Sequence, residues 1–145
     1  MGLPKTLKAM VIDDSIEHVE TLTATLNKYG VHAKGFTNVI IDKNNTIYDE
    51  VFQFTPDLII IKDDFKKFPA WKFAYEVFKE YDDKNQVRPY ISVMSNGVTK
   101  KHKALCEEMG ADIYVQKPFE LSDLLKWVNE ARNRSEGSEP ETEKI

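Results

Sequence analysis

Five short apolar runs alternate with longer amphipathic stretches along the chain. The runs cover residues 9–13, 31–36, 57–61, 90–94 and 112–116. Three of the runs are almost wholly apolar, which is typical of strands that are covered on both faces. The stretches between them repeat apolar residues at spacings of three and four, so the pattern predicts strands that alternate with helices.

The ends of the helices are indicated by capping residues. Gly30 follows the first helical stretch and is expected to end it, because glycine tolerates the conformation that terminates a helix. Asp14 is expected to cap the start of that helix, with Glu17 completing a capping box. Ser122 is the predicted cap of the last helix.

Three further helical stretches are predicted. The third helix begins after Pro69, and its apolar stripe is predicted to comprise Trp71, Ala74, Tyr75, Phe78 and Tyr81. A fourth helix is expected to pack through Val98, His102, Leu105, Cys106 and Met109. A short second helix bearing Ile47, Val51 and Phe54 follows a loop around residues 42–45.

The alternation of strands and helices defines the expected fold class. Right-handed crossovers between parallel strands place helices on both faces of the sheet. We therefore expect an α/β fold, a flavodoxin-like doubly wound parallel sheet of five strands in the order 2-1-3-4-5. One domain covers residues 1–132, and the polar, acidic residues 133–145 are predicted to be a disordered tail.

Composition narrows the functional classes. The 145 residues carry a formal net charge of −4, from 20 basic and 24 acidic residues, which argues against nucleic-acid binding. No apolar run is long enough to span a membrane, and Cys106 is the lone cysteine, so no internal disulfide is possible. These features favour a cytoplasmic protein without membrane contacts.

Polar residues follow four of the predicted strands. They are Asp13 and Asp14 after strand 1, Lys62, Asp63 and Asp64 after strand 3, Ser95 after strand 4, and Lys117 after strand 5. Singly, each has a plain interpretation: a helix cap, a turn residue or a surface lysine. Because the carboxyl ends of parallel strands share one crevice, their combination predicts a polar site there.

Three motifs at these positions resemble the receiver domain of two-component response regulators. They are "MVIDDS" (10–15), "PDLIII" (56–61) and "GADIYVQKPF" (110–119), and the resemblance extends over residues 7–132. It implies that Asp13 and Asp14 form the acidic pocket, that Lys117 is the phosphate-binding lysine, and that Ser95 and Tyr114 are the switch residues. It also implies a cis Lys117–Pro118 peptide bond.

The resemblance fails at the position of the phosphate-accepting aspartate, which is Lys62 here. A lysine has no carboxylate from which to form an acyl phosphate. Paired with Asp13 and Asp14, and together with Lys117, it would also balance the pocket without a metal ion. We therefore expect no resident cofactor, and Mg²⁺ on Asp13 and Asp14 only if the site is functional after all.

Two alternatives stay open. Asp63 or Asp64 would become the acceptor, with Mg²⁺, if strand 3 slips or bulges by one residue. A flavin-binding redox protein has the same fold, but the acidic "DDSIEH" (13–18) after strand 1 would repel a phosphate group.

The expected function is that of a non-enzymatic, single-domain receiver-like protein in phosphorelay signal transduction. It is predicted to work without phosphorylation, through protein contacts of the helix 4–strand 5–helix 5 face, residues 99–132. Its predicted partners are other signalling proteins, a histidine kinase or a downstream effector, and the same face is a candidate for homodimer contacts.

Overall fold

Strands and helices alternate along the chain as the apolar pattern predicts. The computed structural model describes residues 5–37, 46–63 and 68–137. The strands are β1 (Lys8–Ile12), β2 (His32–Phe36), β3 (Leu58–Lys62), β4 (Tyr90–Ser95) and β5 (Ile113–Gln116). The helices are α1 (Ile16–Lys28), α2 (Ile47–Phe54), α3 (Ala70–Asp83), α4 (Lys100–Glu108) and α5 (Leu121–Ser135).

The strands form one parallel sheet in the order β2-β1-β3-β4-β5, which confirms the predicted doubly wound topology. Ile12 of β1 lies opposite Ile61 of β3, and Lys62 lies opposite Met94 of β4. This register aligns the carboxyl ends of β1, β3 and β4 at one edge of the sheet.

A hydrophobic core lies on each face of the sheet because side chains of a strand alternate between the two faces. Ile59 and Ile61 of β3 pack on one face, with α2, α3 and α4. Leu58 and Ile60 pack on the other, with α1 and α5. Burial on both faces explains why β1 and β3 read as continuous apolar runs.

Two predicted helix caps are wrong. Ser15 caps α1, and its hydroxyl oxygen accepts from the backbone N–H of His18. The carboxylate of Asp14 is bonded elsewhere, to Lys62. The N-cap of α5 is Glu120, whose backbone N–H donates to the Asp123 carboxylate. Ser122 therefore lies inside the helix and does not cap it. The predicted glycine stop is confirmed, since Gly30 has a φ of +82° directly after α1.

The buried stripe of α3 differs from the predicted one. Its buried residues are Ala70, Phe73, Ala74, Val77 and Tyr81. Tyr75 and Phe78, which the prediction placed inside, are 43% and 36% exposed. The helix is rotated so that Phe73 and Val77 face the sheet, and Phe78 lies instead beneath the guanidinium group of Arg88.

Helices α2 and α4 match their predicted positions, but α4 is only lightly anchored. Ile47 and Val51 of α2 are buried as predicted, and the loop predicted around 42–45 lies outside the described residues. All nine residues of α4 are described, and of these Cys106 alone is buried. His102, which was predicted to pack inward, is exposed.

The last helix runs further than the sequence indicated. Helix α5 ends at Ser135, beyond the predicted domain boundary at residue 132, and residues 138–145 of the predicted tail lie outside the described residues. Among the described helices, none has the length and apolar character needed to cross a membrane.

A pair of substitutions on α3 tests the orientation of this helix. Phe73→Ala removes a fully buried ring and is expected to lower the free energy of unfolding by about 3–5 kcal/mol. Phe78→Ala removes a partly exposed ring and is expected to cost less than about 1 kcal/mol. Urea denaturation followed by circular dichroism measures both, and equal losses would contradict the observed orientation.

Candidate functional site

The predicted polar site lies at the edge of the sheet where β1, β3, β4 and β5 end. Two ion pairs within the described residues define it. Lys117 Nζ lies 2.7 Å from Asp13 Oδ2, and Lys62 Nζ lies 2.8 Å from Asp14 Oδ1. The structure therefore brings together the four charged residues that the sequence assigned to the pocket from three strand ends.

Asp13 is the buried centre of this site. Its Oδ1 atom accepts from the backbone N–H of Ser15 at 2.9 Å. Its Oδ2 atom accepts from Lys117 Nζ and lies 2.6 Å from His18 Nδ1. Both carboxylate oxygens of Asp13 therefore have partners: Lys117 at the end of β5, Ser15 at the N-cap of α1, and His18 in the first turn of α1.

The surroundings of Asp13 favour its charged form. Burial by itself would raise the pKa of this carboxyl, but hydrogen bonds from His18, Lys117 and Ser15 lower it to about 2. Asp13 therefore carries a full negative charge at neutral pH, and it is neutralised by protein groups alone.

Lys62 reaches the second acid of the pair. The Lys62 side chain is 14% exposed, whereas that of Asp14 is 54% exposed. Asp14 therefore lies at the solvent-exposed rim of the pocket, and Lys62 lies deeper. The sequence predicted Lys62 against both acids. The contacts described for Asp13 instead come from Lys117 and His18, and Lys62 bonds Asp14.

Ser95 and Tyr114, the predicted switch residues, lie close together beside this edge. Ser95 is fully buried, and its hydroxyl forms a local turn: it donates to the carbonyl of Gly97 at 3.0 Å and accepts from the N–H of Gly97. The Lys117 N–H donates to the Ser95 carbonyl at 2.8 Å, which ties the ends of β4 and β5. The Tyr114 ring is buried.

Asp63 points away from the acidic pair. Its carboxylate accepts a hydrogen bond from the Tyr114 hydroxyl and lies 3.4 Å from His102 Nδ1. It belongs to the face of the sheet that carries α3 and α4, while Lys62 belongs to the opposite face. Asp64, the other alternative acceptor, lies outside the described residues.

Sequence reasoning missed two histidines, His18 and His102. Each occupies the first turn of a helix, in α1 and in α4, and each lies against a buried aspartate at a strand end. For His18 the signal was its position, since the first turn of α1 folds back over the end of β1, the strand that precedes it. His102 lies in the first turn after β4 but contacts the end of the neighbouring strand β3, which its position along the chain does not indicate. His102 was predicted to pack in the apolar stripe of the fourth helix, so its contact with a polar residue was not expected.

The donor set offers little to a divalent cation. Mg²⁺ prefers oxygen ligands in octahedral geometry. Both oxygens of Asp13 accept from N–H groups, and Asp14 is bonded to Lys62. In the part of the chain that the structure describes, no group of three or more His, Cys, Asp or Glu side chains is placed to hold a metal ion.

The cis Lys117–Pro118 peptide that the resemblance implies is present.

The depressed pKa of Asp13 predicts a pH dependence of stability. Because the folded-state pKa of about 2 lies below the ordinary value of 3.8, the charged carboxylate stabilises the fold and this contribution is lost as the pH falls from 3.8 to about 2. The loss is about 2 kcal/mol. Asp13→Asn should remove this component in denaturant titrations between these pH values, with the exposed Asp14→Asn as control. An unchanged pH profile for Asp13→Asn would contradict the assignment.

Comparison with known proteins places the fold. No family model and no curated protein matches the sequence. Among solved structures, the CheY-like receiver domain protein of Methanospirillum hungatei matches with a TM-score of 0.77 at 13% identity, over 92% of this chain and 98% of its own. A response regulator of Thermotoga maritima matches with a TM-score of 0.71 at 21% identity, over 89% and 99%.

A third match has the same character. The chemotaxis protein CheY4 of Vibrio cholerae gives a TM-score of 0.71 at 19% identity, over 88% of this chain and 99% of its own. This chain covers almost the entire length of each of these neighbours, and the TM-scores of 0.71 to 0.77 indicate a shared fold. The chain therefore has the fold of response regulator receiver domains.

Proposed function

We propose that this chain is a receiver-like signalling module of phosphorelay pathways that works without phosphorylation, through protein contacts of the α4–β5–α5 face. The observation that carries the proposal is the ion pair between Lys62 and Asp14 at the carboxyl end of β3. An ammonium group lies where the receiver resemblance requires a carboxylate, and it is bonded to one of the two acids that would bind a cation.

The charge balance of the pocket supports this proposal. Phosphoryl transfer to a carboxylate depends on a cation that neutralises the acids and the incoming phosphoryl oxygens. Here Lys117 and Lys62 already neutralise Asp13 and Asp14 at 2.7 and 2.8 Å. A divalent cation would have to displace these ammonium groups or add two positive charges to a balanced site, and either change is unfavourable.

The position of Asp63 weighs against the alternative in which this residue accepts the phosphoryl group. Its carboxylate lies on the other face of the sheet and is bonded to Tyr114. To reach the pocket of Asp13 and Asp14 it would have to exchange places with Lys62, which would break the register of β3 with β4. The backbone N–H of Asp63 also donates to the Met94 carbonyl, which extends that register by one residue.

The first turn of α4, within the proposed contact face, begins a cluster of basic residues. Lys100, Lys101 and Lys103 are exposed on α4, in a chain whose formal net charge is −4. This basic cluster at the start of α4 favours a complementary acidic patch on a partner and steers its association. We propose a histidine kinase or a downstream effector as the partner, with no catalytic step on this chain, and the same face as the place for any homodimer contact.

Reaction with a small phosphodonor tests the proposal. We expect that the native chain, incubated with acetyl phosphate and Mg²⁺, gains no phosphoryl group, because Lys62 offers no carboxylate and occupies the pocket. Lys62→Asp is expected to gain one, which intact mass spectrometry detects. Lys62→Asn is the matched control, since it removes the ammonium group without supplying an acceptor, and it is expected to remain unmodified.

Two other results would change the account. Phosphorylation of the native chain that is lost in Asp63→Asn or Asp64→Asn would make this a phosphate-accepting receiver. An unreactive Lys62→Asp protein with a native circular dichroism spectrum would show that Lys62 is not what keeps the site silent.

A further inference from the structure

Asp63 is a buried carboxylate that the proposed function leaves without a role. Its side chain is 4% exposed, and it directly follows β3. A carboxylate in such a position is costly unless hydrogen bonds compensate it, so its partners indicate what it does for the fold.

The partners of Asp63 come from three different elements. Its backbone N–H donates to the Met94 carbonyl of β4 at 2.8 Å, which fixes its position at the end of the sheet. Its Oδ2 atom accepts from the Tyr114 hydroxyl of β5 and lies 3.4 Å from Nδ1 of His102 in α4. Asp63 therefore links three elements: β4 through its backbone N–H, and β5 and α4 through its carboxylate.

Tyr114 is suited to a permanent donor role. Burial, followed by the hydrogen bond to Asp63, raises the pKa of the Tyr114 hydroxyl far above the physiological range, while a hydrogen bond involving Ser95 acts in the opposite direction. The hydroxyl thus stays protonated and keeps its proton available to the Asp63 carboxylate. This bond holds the aromatic ring inside the protein.

Few residues of helix α4 are buried. Cys106 is the one buried residue among its nine, all of which are described. The first turn carries Lys100 and Lys101 and no acidic residue, an arrangement that opposes the helix dipole. Asp63 also acts on Cys106. Burial raises the pKa of the Cys106 thiol to about 12, and the negative charge of the Asp63 carboxylate contributes to this rise. A helix with so few buried groups opens easily unless polar contacts retain it.

We propose that Asp63 is a positioning residue for the α4–β5 face. Its carboxylate keeps the Tyr114 ring inside and restrains α4 through His102, so this surface is held in one arrangement without a phosphoryl group. The importance of the surface for partner binding rests on the proposed function, but the restraint itself is a property of the isolated chain.

Hydrogen–deuterium exchange of the full chain, read by mass spectrometry, tests this restraint. Asp63→Leu removes the acceptor and is expected to speed exchange of the peptide covering 99–109 by about tenfold, the factor for losing a hydrogen bond to a charged group. Exchange in α1 and α5 should change little. Asp63→Asn keeps an oxygen that accepts from Tyr114, and it should restore most of the protection.

A control on the same strand separates this role from a general loss of stability. Asp57 precedes β3 at the opposite edge of the sheet; its side chain is 8% exposed, and it accepts from Lys5 and from the N–H of Lys8. Asp57→Leu should therefore destabilise the fold without selective exchange in 99–109. Equal exchange patterns for Asp57→Leu and Asp63→Leu would overturn the proposal.

Tyr114→Phe removes the donor of the hydrogen bond between Tyr114 and Asp63. It is the alternative variant if Asp63→Leu does not fold. Because the Tyr114 hydroxyl fixes the Asp63 carboxylate in the position from which it meets His102, this variant should also speed exchange in 99–109. In the Asp63→Leu background it should add nothing further. Unchanged exchange in Tyr114→Phe, or full additivity of the two substitutions, would overturn the proposal. The experiment contains no phosphodonor and no partner, so its failure is distinguishable from failure of the proposed function.

Discussion

Successive side chains of a β-strand point to opposite faces of the sheet, and at the end of β3 this alternation separates Lys62 from Asp63. Lys62 turns towards α1 and α5 and meets Asp14, while Asp63 turns towards α4 and meets Tyr114 and His102. The register of β3 between β1 and β4 fixes both outcomes together. Neither residue can take the place of the other without moving the buried isoleucines of the strand.

This separation divides the carboxyl edge of the sheet into two polar clusters. In the first, Asp13 and Asp14 are neutralised by Lys117 and Lys62, with His18 and the N–H of Ser15 completing the hydrogen bonds of Asp13. The second cluster, around Asp63, connects the sheet to α4 and β5. We propose that the first cluster balances the pocket without a cation, and that the second holds the adjoining face in one conformation.

The sheet order could be predicted from the alternation of strands and helices. The four charged residues of the first cluster could be predicted because parallel strands bring their carboxyl ends to one edge, but His18 could not. The N-cap of α1 could not, because Asp14 had a competing partner in Lys62 that lies far away in sequence. The stripe of α3 was misassigned because aromatic residues occur on more than one side of that helix, and only packing against the sheet decides between Phe73 and Phe78. The partners of Asp63 depend on side-chain directions in three elements, which spacing along the chain does not encode.

The most direct test of the central claim, that Lys62 replaces the cation in the pocket, is calorimetric titration with Mg²⁺ at neutral pH. The native chain is predicted to show no saturable binding in the millimolar range, because two ammonium groups already neutralise the two acids. Lys62→Asp, which exchanges one of these ammonium groups for a third carboxylate, is predicted to bind Mg²⁺ saturably. Saturable binding of Mg²⁺ by the native chain that Asp13→Asn abolishes would contradict the claim.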